Sequence, residues 1–212
     1  MEPIAPIADE ARAYLDMAHE AREAALQACR KATRCAANSI RATHRRDWQE
    51  AESLMAQART FLEEAIERCE PVPQVRYAGF IADAEKELAE ANLTFCLIRD
   101  GRLPTPAEVG VGIAEYLSGV AETVGELRRH LLDSLRRGDI GRGEEVLQVM
   151  DELYQLLTTM DYPDSLTRGL RSRTDAARSA IERSRSELTI TAIQHEVAHS
   201  LAALHQKLDN PS

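Results

Sequence analysis

The chain has 212 residues, of which 44% are apolar but only 4% aromatic, and it carries a formal net charge of −9. That length supports one generous core rather than two separate domains, and a core of Ala, Leu, Val and Ile suits close-packed helices better than a β-sandwich. The acidic balance excludes a general nucleic-acid coat protein but not a local basic groove, because counterion release depends on nearby charges.

The N-terminal MEPIAPIADEARAYLDMA has neither a basic region nor an apolar core of the signal-peptide kind. No run of about 18 apolar residues marks a transmembrane helix. The expectation is a soluble, cytoplasmic protein. Cys29, Cys35, Cys69 and Cys96 each fall at or near an apolar helical position, as small core residues do in a non-secreted chain.

Four breaks punctuate the chain: Glu70 to Pro73, Arg99 to Pro106, Gly138 to Gly143, and Asp161 to Asp164. Between them apolar residues recur at three- and four-residue spacing, the pattern of buried helix faces. Ala11, Tyr14, Ala18, Ala21, Ala25, Ala28, Ala32 and Cys35 define a first helix lasting to about Thr43. Trp48, Ala51, Met55, Ala58, Leu62, Ala65 and Cys69 define a second. A third carries Tyr77, Ile81, Ala84, Leu88, Ala91, Phe95 and Ile98.

The fourth starts at a T-x-x-E capping box, with Thr105 as N-cap, Pro106 at the first helical position and Glu108 completing the box. Its stripe runs Ile113, Leu117, Val120, Val124, Leu127 and Leu131. Val146, Val149, Leu153, Leu156 and Met160 give a fifth. The stretch from about Asp164 to Leu208 is one bent helix or two. The fold class is therefore all-α, a single bundle of about seven helices over residues 1–212.

Two helices carry carboxylates at functional spacing. Asp83, Glu87 and Glu90 share one face of the third, and Glu115, Glu122 and Glu126 share one face of the fourth. If neighbouring antiparallel helices bring these faces together, four or more carboxylates converge. Such a cluster repels itself and raises its pKa values unless a cation neutralises it. Hard oxygen donors suit Mg²⁺ or Mn²⁺, which can activate water against a phosphodiester. Acidic pairs at this spacing also line ordinary solvated faces.

Basic residues cluster locally: Arg41, His44, Arg45 and Arg46 at the first helical junction, Arg128, Arg129 and His130 after Glu126, and Arg76 with Tyr77 before the third helix. An Arg beside an aromatic can hold a phosphate and stack on a base, although arginines also pair with abundant Glu at helix ends. HEVAH, His195 to His199, matches the zinc-protease pair, and with His205 it imitates the longer three-histidine pattern. Ala202 stands where that pattern needs the turn-making Gly, and a continuous helix points His205 away from the pair. Zinc proteolysis is disfavoured.

Four segments together resemble the translin/TRAX family. Ser39 to Asp47 (SIRATHRRD) is similar to the family's I-R-x-x-H-R motif, and Lys86 to Ala91 (KELAEA) to its E-Y-x-E-A stretch. Glu115 to Arg129 (EYLSGVAETVGELRR) resembles Y-L-x-G-x-x-D-x-x-G-E-L-x-R, and Arg171 to Thr189 resembles the sixth family helix. The resemblance implies a helical subunit of a hollow homo-octameric shell, in which catalytic members cleave single-stranded RNA with carboxylates and Mg²⁺. Glu87, Glu90, Glu122 and Glu126 fall on matching acidic positions, with Glu122 in place of the usual Asp and Leu88 in place of the usual aromatic. The implied activity is a metal-dependent endoribonuclease holding Mg²⁺ or Mn²⁺ at those four residues. His44, Arg45, Arg76 and Arg129 are the expected RNA contacts, with single-stranded DNA as a further possible ligand. The alternative is a non-catalytic, translin-like scaffold for single-stranded nucleic acid.

Overall fold

The structure, a computed structural model, describes residues 4–209 apart from the Lys207 side chain. Among them there is no strand. Six long helices alternate with three single-turn ones: α1 (Ile4–Arg45), α2 (Trp48–Arg68), α3 (Pro73–Arg76), α4 (Gly79–Asp100), α5 (Pro106–Val109), α6 (Ile113–Arg136), α7 (Ile140–Thr158), α8 (Asp164–Thr167) and α9 (Leu170–Asp209). Two compact units form, one up to Gly119 and one from Val120, with the boundary inside the unbroken α6. None of these helices is long and apolar enough to cross a membrane.

In the first unit α1 packs on both α2 and α4. Its buried face is built from small side chains: Ala25, Ala28, Cys29, Ala32, Cys35 and Ala36. Those residues let Leu62 of α2 and Ile81 and Leu88 of α4 reach close to the α1 backbone, in one continuous cluster. The α1–α2 corner is tight. Arg46 takes a left-handed φ of 62°, the Asp47 amide donates to the Ala42 carbonyl at 3.0 Å, and the Asp47 carboxylate accepts from the Glu50 amide to cap α2. All four cysteines are free, and burial pushes the Cys29 thiol up to about 11, as expected of packing residues.

The second unit has its own core. Val124, Leu127 and Leu131 of α6, Val146, Met150 and Leu153 of α7, and Ala177, Ile181 and Leu188 of α9 are buried. α9 is tied to α6 by Arg128, which donates to both Glu187 carboxylate oxygens (2.7 and 2.9 Å) and to the Ser184 hydroxyl (3.0 Å). Beyond Leu188 the apolar stripe of α9 (Ile190, Ile193, Val197, Leu201, Leu204, Leu208) is exposed.

Several element boundaries differ from the sequence reading: Tyr77 caps the short α3 and lies outside α4, and Met160 lies beyond the end of α7. The first helix begins at Ile4, well before Ala11. The capping box at Thr105 is present, but it opens only the single turn α5, because Gly110 takes φ 75° and ends it before α6 starts at Ile113. The last stretch is a short α8 followed by one 40-residue helix, α9.

The Thr105 corner makes a pH prediction. The Glu108 carboxylate accepts from the Thr105 amide (2.7 Å) and from Arg102 (2.6 Å), and these bonds, the backbone one foremost, hold its pKa down at about 2. A depressed carboxylate contributes stability that is complete above its unfolded value of 4.5 and is lost as pH falls through about 2. Urea melts of wild type and Glu108→Gln should therefore differ at pH 6 and converge near pH 2. A gap that stays constant across that range would remove the ionised cap from the account.

Candidate metal and RNA site

The acidic faces rest on a close helix crossing. Gly119 of α6 lies against α4 so tightly that a Cβ placed there would sit 2.7 Å from the Ala89 Cβ, 3.0 Å from the Glu90 nitrogen and 3.2 Å from the Lys86 oxygen. Glycine is the one residue that permits this approach. The crossing falls on the α4 turn that bears Lys86, Glu87 and Glu90. Because α6 continues unbroken, Glu122 follows one turn and Glu126 two turns after Gly119, on the same face.

Three of the four expected carboxylates come together. Glu87, Glu90 and Glu122 are half-buried, and each offers a carboxylate oxygen such that the three atoms lie within 4.8 Å of one another. Glu126 is not in that trio; it lies 3.9 Å from Arg129, with its side chain 26% exposed. Cations stand beside Glu87 and Glu122: Lys86 Nζ is 3.1 Å from Glu87, and Arg173 of α9 is 3.4 Å from Glu122. The donor set is all oxygen and all anionic, which fits Mg²⁺ or Mn²⁺ and not a soft metal. Glu87, Glu90 and Glu122 are the residues that can hold the ion.

The expected RNA contacts lie on three elements, α1, α3 and α6. His44 is half-buried in the last turn of α1, while Arg45, exposed beside it, pairs with Glu50 at 2.5 Å. Arg76 is engaged at 2.8 Å by Glu85, a carboxylate whose side chain is only 8% exposed. Arg129 is exposed. Lys86 and Arg173 were not among the expected site residues. Lys86 adjoins Glu87 in sequence, but nothing in the sequence links Arg173 to a carboxylate 51 residues away.

The HEVAH histidines do share a face, with the His195 and His199 rings 4.6 Å apart between centroids. Both are exposed, toward the C-terminal end of α9.

Comparisons with known proteins agree with this architecture. Residues 12–188 match the model of the Translin family. An uncharacterized protein of Methanocaldococcus jannaschii, MJ0175, is 25% identical over 187 residues, 86% of this chain and 81% of that protein. The structure of AfC3PO in complex with duplex RNA superposes with a TM-score of 0.79 at 32% identity, covering 88% of this chain and 96% of the other. NeC3PO without ligand shares the fold, at a TM-score of 0.77 and 19% identity, over 90% of this chain and 98% of its own.

Proposed function

The chain belongs to the translin family, and we propose that it is a metal-dependent endoribonuclease that cuts single-stranded RNA as a cytoplasmic homo-octamer. The observation that carries this reading is the carboxylate trio of Glu87, Glu90 and Glu122. Half-buried anions held this close repel one another, and a divalent cation relieves that repulsion. When bound, Mg²⁺ or Mn²⁺ supplies Lewis-acid stabilisation of phosphodiester charge and lowers the pKa of water.

The remaining work falls to the chain itself. Glu126, one turn beyond Glu122 on α6, lies 3.9 Å from Arg129, and that exposed guanidinium is offered to a phosphate of the strand. Arg45 and His44 offer further hydrogen-bond donors at the end of α1. Arg76 serves RNA only by sharing its charge with Glu85. Hydrolysis joins the oxygen of water to phosphorus and releases one ribose hydroxyl. The likeness to AfC3PO, solved with duplex RNA, supports RNA as the ligand class.

A scaffold that binds RNA without cutting is favoured by a different observation. Lys86 and Arg173 already neutralise part of the trio, as they would in a purely structural cluster. Incubating purified protein with labelled single-stranded and duplex RNA, in Mg²⁺, in Mn²⁺ and in EDTA, separates the two. The enzyme cuts the single strand in either metal and stops in EDTA. RNA retained intact under all three conditions assigns the chain to the scaffold reading.

A further inference from the structure

Most arginines of this acidic chain are already committed to carboxylates, including Arg45, Arg76, Arg99, Arg102 and Arg128. Arg30 and Arg34 are different. Both are exposed, and among the described residues neither has an ion-pair partner. They stand four residues apart on α1, on the face that also presents Leu26, Thr33 and Ala37. That face forms one wall of an open groove of ≈ 340 Å³, whose other wall is Phe80 and Asp83 of α4.

The groove has two kinds of surface. The guanidiniums and the Thr33 hydroxyl suit phosphate oxygens, while the half-buried Phe80 ring and the Leu26 and Ala37 side chains suit a flat apolar ring. Asp83 at the rim excludes a second phosphate and accepts from an N–H or hydroxyl instead. An aromatic platform beside unpaired cations is the arrangement that binds single-stranded nucleic acid. An anionic peptide would leave the ring unused, and a lipid surface would meet a concave wall.

The position along α4 gives the groove its role. Phe80, Asp83, Glu87 and Glu90 fall at i, i+3, i+7 and i+10, so all four lie on one face. At 1.5 Å per residue, Phe80 precedes Glu87 by about 10.5 Å along the axis. A short run of extended RNA backbone spans that distance. We propose that Arg30, Arg34 and Phe80 form a binding subsite for a single-stranded nucleotide flanking the phosphodiester held at Glu87 and Glu90: the arginines take its phosphate and Phe80 stacks on its base. The subsite rests on the reading of this chain as an RNA-binding protein.

The test uses the full chain in EDTA, so that binding is measured without cleavage. A fluorescent 20-nucleotide single-stranded RNA and a blunt duplex of the same sequence are titrated at several salt concentrations. Each phosphate contact contributes about 0.7 to the log–log salt slope for a single strand. The Arg30→Ala/Arg34→Ala variant gives up that one phosphate and should therefore lose about 0.7 from the slope. Phe80→Leu should weaken single-strand binding by about 5- to 150-fold, the range of one lost base stack, and leave the duplex unchanged.

Circular-dichroism melts confirm that each variant is folded. Should the partly buried Phe80 substitution fail there, the exposed arginine pair carries the result alone. A double variant with wild-type slope and affinity overturns the subsite while RNA binding stands. Wild-type protein that binds no RNA at any salt overturns the subsite and the function together.

Discussion

Glu122→Gln is expected to lower metal-dependent RNA cleavage by about three orders of magnitude, with RNA binding in EDTA nearly unchanged. The substitution keeps the shape of the side chain and removes one negative charge from a trio whose oxygens lie within 4.8 Å of one another. A divalent cation loses an anionic ligand, and the several kcal/mol that it supplies to phosphodiester charge weakens accordingly. About 4 kcal/mol corresponds to that thousand-fold loss.

Glu90→Gln should behave alike. Glu126→Gln should be milder, a loss of about 10- to 100-fold, because its carboxylate lies outside the trio and acts through Arg129. Mn²⁺ titration followed by electron paramagnetic resonance gives an independent readout: affinity should fall in Glu122→Gln and Glu90→Gln and hold in Glu126→Gln. Full cleavage by Glu122→Gln would place the chemistry elsewhere and make the trio a structural cluster.

The helices were legible because their buried faces are regular. Ala25, Ala28, Ala32 and Cys35 step by three and four along α1, and Ile81, Ala84, Leu88 and Ala91 answer them on α4. The misread boundaries each have a local cause. Thr105 and Glu108 announce a helix start faithfully, yet the end at Gly110 depends on a left-handed φ that periodicity cannot register. α1 starts early because its first turns are exposed, so burial imposes no pattern on them.

The candidate site was half legible. Glu87 and Glu90 announce themselves by sharing one helix turn, and Glu122 by its place three residues before the G-E-L-R-R segment. The cations were not legible, because an ion pair between α6 and α9 leaves no mark in residue spacing. Arg76 shows the converse: its type suits a phosphate, but folding hands it to Glu85. Residue type gives the capacity of a side chain, and only the fold decides which charge it meets.

Gly119→Ala is expected to reduce stability and activity together, whereas Gly125→Ala, six residues further along the same helix, should raise stability. Both changes gain helix propensity, up to about 1 kcal/mol for Gly to Ala. At Gly125 nothing lies within 4 Å of the new Cβ, so the gain is kept. At Gly119 the methyl meets the Ala89 Cβ at 2.7 Å, the Glu90 nitrogen at 3.0 Å and the Lys86 oxygen at 3.2 Å. Two of these are main-chain atoms and the third is fixed to its helix, so none can rotate away.

α6 and α4 must therefore separate, and overpacking of this kind destabilises by about 1–3 kcal/mol. Set against the propensity gain, the net loss is up to about 2 kcal/mol, a fall in Tm of up to about 8 °C for a chain of this size. The activity effect is larger. Glu90 adjoins Ala89 and Glu122 is one turn from Gly119, so the separation is transmitted directly into the carboxylate trio. A displacement near 1 Å at a reacting centre lowers rate by about 100-fold. Thermal melts with cleavage assays on both alanine variants test this. Gly119→Ala with wild-type melting and wild-type cleavage would mean that the close crossing does not set the carboxylate spacing.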